Sequence, residues 1–317
     1  MVFAYYDERL DDMPFLCVDG VVPTGLNLSH WPGNRTPAHL KADTTTEMAL
    51  KLARDPGRDA WLRDISIVTN NHFDTDGLLS VYGVLRPEEA VPHERALVQA
   101  ARAGDFGAFS TAEAFKFDAV VTAFDDDRVS PLADRVRGRE GYERYAILYE
   151  ALLAMMPGLL LDTSRYKSLW AAPLQSLMRS LIRIKDVARI REHETASLTV
   201  IEAGEPLDQI ARFNLARYHR VLTATHSTGG IFYEMAFQIF SWFDTVTPVR
   251  GGRVDLSDAA AELNRLEIPG VGRWVYTGND SLESRLYRAA ADGTPIESAL
   301  PLDTVETLLV DLFEGRP

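Results

Sequence analysis

Thiols are almost absent from this chain. Its 317 residues hold one cysteine, Cys17, so no internal disulfide can form and a metal site built from several thiolates is excluded. Cys17 lies in the apolar run Phe15-Leu16-Cys17-Val18, which reads as a buried thiol rather than a nucleophile and suits a reducing compartment. Long apolar runs are scarce too: the longest stretches, such as Ala151 to Leu161, fall short of the roughly 20 residues a membrane helix needs, so no membrane span is expected. The start, Met1-Val2-Phe3-Ala4-Tyr5-Tyr6-Asp7-Glu8, carries acid where a signal peptide is basic, and a cytoplasmic location is expected. Positive charge is in deficit, 33 Lys and Arg against 46 Asp and Glu, and the net charge of −13 disfavours long phosphate backbones. A small phosphorylated substrate stays admissible, because bound divalent cations reverse the local sign of a carboxylate-lined pocket. The chain also lacks a G-x-S-x-G nucleophile elbow, a P-loop, a dinucleotide fingerprint and any internal repeat.

What is present is concentrated in Asn71-His72-Phe73-Asp74-Thr75-Asp76-Gly77, directly after the apolar run Ile65 to Thr69. In an extended chain residues i, i+2 and i+4 point to one side, so His72, Asp74 and Asp76 can converge on one point. Gly77 then permits a sharp turn into a helix beginning at Leu78. Imidazole nitrogen with carboxylate oxygen and no thiolate suits a divalent ion of the manganese, magnesium or zinc class. Asp and Asn also cap helices, and Asp76 fits that role equally, so capping and metal binding both stand at this point.

The surrounding pattern is α/β. Phe15 to Val18 reads as a buried strand ending at Asp19-Gly20, and Gly25 to Pro37 as a loop that contains His30. Thr44 and Glu47 stand at capping-box spacing before a helix at Met48 to Ala53. Helical spacing follows from Leu78 to Val84, from Pro87 to Ala103, over Tyr142 to Met156 and over Ser168 to His193, with Pro173 expected to break the last one early. Strand–helix alternation up to about residue 130 predicts a parallel sheet, whose carboxyl ends collect ligands. From Ser197 the texture turns β-rich, at Leu198 to Ile201, Val221 to Thr225 and Ile231 to Phe243, so residues 1–195 and 196–317 are expected to form a metal-binding α/β domain and a smaller α+β domain.

Other polar clusters have plainer readings. Asp125-Asp126-Asp127 fits a solvated acidic loop, since three adjacent carboxylates cannot all face one ion in regular structure. Asp105, in Gly104-Asp105-Phe106-Gly107, is read as an extra ligand or a loop hydrogen-bonder, and His39, His93 and His193 as surface residues. The loop Trp31-Pro32-Gly33-Asn34-Arg35-Thr36-Pro37 suits closing over a base or anchoring His30, or a turn whose Trp31 packs inward.

The turn His72-Phe73-Asp74-Thr75-Asp76-Gly77, followed by Ser80, resembles the first metal-binding motif of the DHH phosphoesterase superfamily. Phe15-Leu16-Cys17-Val18-Asp19-Gly20 resembles that family's strand-end aspartate. Leu28-Ser29-His30-Trp31 with Thr45-Thr46-Glu47 is similar to its triplet and the helix that follows. Two departures are plain: the triplet keeps only His30, and Asp19 and His30 precede the His72 motif instead of following it. The resemblance covers about 80 residues, taken from its short motifs, and implies a diverged or permuted member.

It implies His72 and Asp74 on one metal, Asp76 on the other, Asp19 bridging, and His30 as a ligand or a phosphate-facing acid, so Asp19 and His30 are the expected catalytic pair. The ion implied is manganese first, with magnesium or zinc as substitutes, and the substrate a phosphodiester, a phosphoanhydride or a short nucleotide. It also implies substrate groups in the C-terminal domain, where His226-Ser227-Thr228-Gly229-Gly230, Arg250 and Arg253 are candidates, although a glycine pair after a strand is also a plain turn and arginines are often surface charges. Two alternatives remain: a non-catalytic DHH-like binding or regulatory protein, and a metal-dependent hydrolase of non-phosphate bonds.

Overall fold

A computed structural model describes residues 1–267, 270 and 272–315. It divides into two compact units: one is Met1–Gln175 with the short segment Phe243–Thr247, the other Ser176–Trp242 with Pro248–Pro317.

The first unit is built on a parallel sheet. Its strands are β1 (Val2–Phe3), β2 (Phe15–Val18), β3 (Leu26–Leu28) and β4 (Ile67–Thr69), in the order β1-β4-β2-β3. Every residue of β2 is buried, which is why it reads as an unbroken apolar run: a parallel strand covered on both faces has no polar side. The register sets Cys17 between Asn27 and Thr69, so β2, β3 and β4 end side by side. The helices Thr45–Arg54, Thr75–Leu85 and Glu94–Phe106 bury Leu50, Leu79, Val81, Leu97 and Ala101 in the core beside the sheet residues Leu16, Val18 and Val68.

Two helices differ from their sequence patterns. Gly141–Leu161 has 21 residues and by length and composition is apolar enough to cross a membrane, which the shorter run Ala151 to Leu161 did not suggest. In this fold Leu148, Tyr149, Leu152 and Met156 from it are fully buried in the first unit's core. Helix Lys167–Val187 runs through Pro173 instead of breaking there. Pro173 is exposed, and the helix continues with one backbone hydrogen bond fewer. The same helix stops before His193, because Ala188–His193 is strand β5. Its charged residues suit an edge strand, where Arg191 pairs with Glu202 across the ladder to the neighbouring strand.

The second unit is a mixed sheet of β5, β6 (Leu198–Ala203), β7 (Arg220–His226), β8 (Ile231–Phe237), β9 (Arg273–Tyr276) and β10 (Arg285–Ala289). The order is β5-β6-β7-β8-β10-β9, with β6 and β7 parallel and the other neighbours antiparallel. Helices Ser257–Leu266 and Leu302–Glu314 cover one face through Leu263, Val305, Leu309 and Phe313.

Candidate metal centre

The carboxyl ends of β2, β3 and β4 deliver the charged residues. β2 is followed at once by Asp19, which has the left-handed φ of 50°, a conformation that Asp tolerates better than most residues and that tends to persist at functional positions. Gly20 lets the Asn71 amide come close, since a Cβ here would lie 2.2 Å from Asn71 Oδ1 and that side chain would have to shift. β3 runs into Ser29 and His30, and β4 into Asn70, Asn71 and His72.

Asp74 caps helix Thr75–Leu85, accepting from Gly77 N at 2.8 Å. Asp76, in the first turn of that helix, reaches the start of another: its two oxygens accept from Thr45 N and Thr46 N, each at 2.7 Å. Helix N-termini favour negative charge, so capping and ligand presentation are here properties of the same carboxylates.

These groups form two clusters that share Asp19. In the inner one, His30 Nε2 lies 3.2 Å from Asp19 Oδ1, 3.2 Å from Asp105 Oδ2 and 3.6 Å from Asp76 Oδ2. In the outer one, His72 Nε2 lies 3.2 Å from Asp19 Oδ2 and 3.0 Å from Asp74 Oδ2. Ligands about 2.1 Å from one ion at right angles stand about 3.0 Å apart, so both clusters have the spacing of atoms around a cation. The two differ in access. All four inner residues are buried, whereas the outer His72 and Asp74 side chains are 22% and 39% exposed.

Three observations fit divalent cations. Asp19 Oδ2, His30 Nε2 and Asp105 Oδ2 are buried and make no aligned hydrogen bond, although such groups are ordinarily satisfied. The imidazoles are oriented from behind: His30 Nδ1–H donates to the Asp43 carbonyl at 2.6 Å, and His72 Nδ1 lies 3.2 Å from Asn71 Oδ1, leaving each Nε2 for the cluster. Finally, the two clusters bring together four carboxyl groups, Asp19, Asp74, Asp76 and Asp105, which on giving up their protons would supply the charge that two divalent cations balance.

Without an ion the clusters hold protons instead. Burial, reinforced by the Asp19 charge, pushes Asp76 up to about 7. Burial and the Asp76 charge raise Asp105 well above the carboxylate range. Burial disfavours the charged imidazole of His30, but Asp105 and Asp19 outweigh it and hold His30 protonated well above its ordinary value; Asp74 and Asp19 do the same for His72. Burial likewise opposes the charge on Asp19, yet His30 and His72 keep it below the ordinary range.

The structure thus brings Asp19, His30, His72, Asp74 and Asp76 together. Asp105, buried near the end of helix Glu94–Phe106, joins them, and only its place beside Gly104 and Gly107 marked it in the sequence. Leu28 and Ser29 supply no ligand: Leu28 is buried in β3, and Ser29 Oγ accepts from Trp31 N. Trp31 itself lies over the His72 ring, centroids 4.8 Å apart. Asp125 and Asp127 are paired with Arg144, and Asp126 with Arg128.

The C-terminal candidates lie in the second unit. Ser227 to Gly230 form the β7–β8 turn, with Ser227 Oγ 3.1 Å from Glu297 Oε1, and His226 Nε2 lies 2.8 Å from Glu202. Arg253 donates to the carbonyls of Asn279, Ser281 and Leu282, and Arg250 is exposed, 3.7 Å from Glu194.

The chain belongs to a family of unknown function, DUF6687, which it matches over residues 1–317. No curated protein matches it. Among solved structures, it is similar to a pGpG-specific phosphodiesterase, PggH from Vibrio cholerae, at 10% identity and a TM-score of 0.38, covering 96% of this chain and 100% of the other.

Proposed function

We propose that this protein is a metal-dependent hydrolase of a small phosphodiester or phosphoanhydride, working with a pair of divalent cations, manganese first. The observation that carries the reading is Asp19, whose Oδ1 faces His30 and whose Oδ2 faces His72, as a carboxylate bridging two ions must. When bound, such a pair grips phosphoryl oxygens, makes water a nucleophile near neutral pH and stabilises the leaving oxygen. Asp19, His30, Asp76 and Asp105 hold the inner position, and Asp19, His72 and Asp74 the outer one.

The partial exposure of His72 and Asp74 supports substrate access from the outer side, where Asp74 and Phe73 border an open cavity of about 1040 Å³ whose far wall carries Asp125 to Arg128 and Arg144. Trp31, over His72, shields that imidazole and offers a ring edge to a substrate base. His30, fully buried, acts as a ligand rather than as an acid toward substrate.

The test is metal content followed by hydrolysis of bis-p-nitrophenyl phosphate in manganese, with Asp74→Asn as control. Near two equivalents of metal, and turnover lost in the variant while the fold is kept, is the expected result. Two equivalents without turnover on phosphodiesters, cyclic dinucleotides or pyrophosphates would favour a second reading, a binding protein that holds metal. One observation supports that rival: Leu28 and Ser29 stand where the DHH triplet would place two more ligands.

A further inference from the structure

We infer that the segment Phe243–Thr247 is a latch that positions His30 for the inner cation, an inference that rests on the two-cation reading above. In sequence it follows β8 and the turn Ile239–Trp242, far from the other residues of the centre, yet it belongs to the first unit. It holds His30 in three ways. The Phe243 ring stacks on the imidazole, centroids 4.0 Å apart and planes 21° from parallel. Asp244 N donates to the His30 carbonyl at 2.6 Å. Thr247 donates to Asp43, the residue whose carbonyl accepts His30 Nδ1–H, through its N at 2.8 Å and its Oγ1 at 2.7 Å.

The latch is itself anchored, since Asp244 Oδ2 is bonded by Lys41 Nζ at 2.5 Å and Asn34 Nδ2 at 3.0 Å. A histidine ligand is effective when its tautomer and ring plane are fixed before the ion arrives. Here one short segment sets the plane through Phe243, the backbone through Asp244 and, by way of Asp43, the acceptor that fixes the tautomer. These contacts fall on His30 and Asp43, and the segment meets the His72 side only at one remove, through Asn34 and Trp31, so the latch acts chiefly on the inner position.

The test is calorimetric titration of the metal-free full-length chain with manganese, in parallel with electron paramagnetic resonance of the bound ions. Phe243→Ala is expected to weaken one of two equivalents roughly 10–100-fold while the other keeps its wild-type affinity, and to weaken the spin coupling of an ion pair. Phe243→Tyr, which keeps the stacked ring, is expected to restore both. If Phe243→Ala does not fold, Thr247→Val, an exposed position that loses a hydroxyl, is expected to show the same one-site loss to a smaller degree. Equal weakening of both sites, or wild-type affinity at both in the folded variants, overturns the latch. Wild-type protein that takes up no metal overturns the two-cation reading instead, which the first titration decides before any variant is made.

Discussion

Asp76 decides how the centre responds to pH. Unfolded, its carboxyl ionises at the ordinary aspartate value of about 3.9, whereas folded it holds its proton up to about 7. Between those values the native chain binds the extra proton, so this group's contribution to stability falls as pH rises through the window. Metal-free protein is therefore expected to lose melting temperature between about pH 5 and 7, and Asp76→Asn, which cannot ionise, to flatten the loss; a slope unchanged in the variant would remove Asp76 as its source. Manganese must displace the same proton, along with those on Asp105, His30 and His72. Its affinity is accordingly expected to climb roughly tenfold per pH unit for each proton displaced, as titration in buffers of different ionisation enthalpy would reveal. An affinity independent of pH from 6 to 8 would count against these residues as ligands.

The strand ends carry the chemistry because a parallel sheet aligns them, and this was the legible part of the sequence. His72, Asp74 and Asp76 follow a short apolar run at a spacing of two, and Asp19 follows another, which singled them out; the alternation itself does not persist, because helix Thr75–Leu85 starts before Leu78 and carries Asp76 to the inner cluster while His72 and Asp74 stay in the outer one. Asp105 and Phe243 come from a helix end and a distant segment, and no local period connects either to a strand end. β5 was equally hidden: its residues continue the helical spacing read from Ser168 to His193, although its charges are ones an edge strand tolerates. The close approach at Gly20 makes a prediction about the β2 turn. Gly20→Ala must move the Asn71 amide that orients His72, so the outer site is expected to lose roughly 10–100-fold in manganese affinity while the inner site is little changed. Calorimetry on the purified variant checks this, and unchanged two-site binding would mean that Asn71 does not govern His72.

At the scale of the whole chain, a net charge of −13 works against the fold, and cations held among the buried Asp19, Asp76 and Asp105 would offset part of it. Anything that binds only the native state stabilises it by mass action, about 2.7 kcal/mol at a hundredfold excess over Kd. The proposed ligands all belong to the first unit, which draws its last contribution from Phe243–Thr247. Local unfolding should therefore be suppressed by manganese in a discontinuous set of segments. Hydrogen exchange followed with and without manganese is expected to slow at the ends of β2, β3 and β4, at the end of helix Glu94–Phe106 and over 243–247, and to stay unchanged along β5 to β10. Protection confined to residues before 175, with 243–247 exchanging as before, would separate the latch from the metal centre. Protection spread equally through the second sheet would place cation binding elsewhere than at the strand ends.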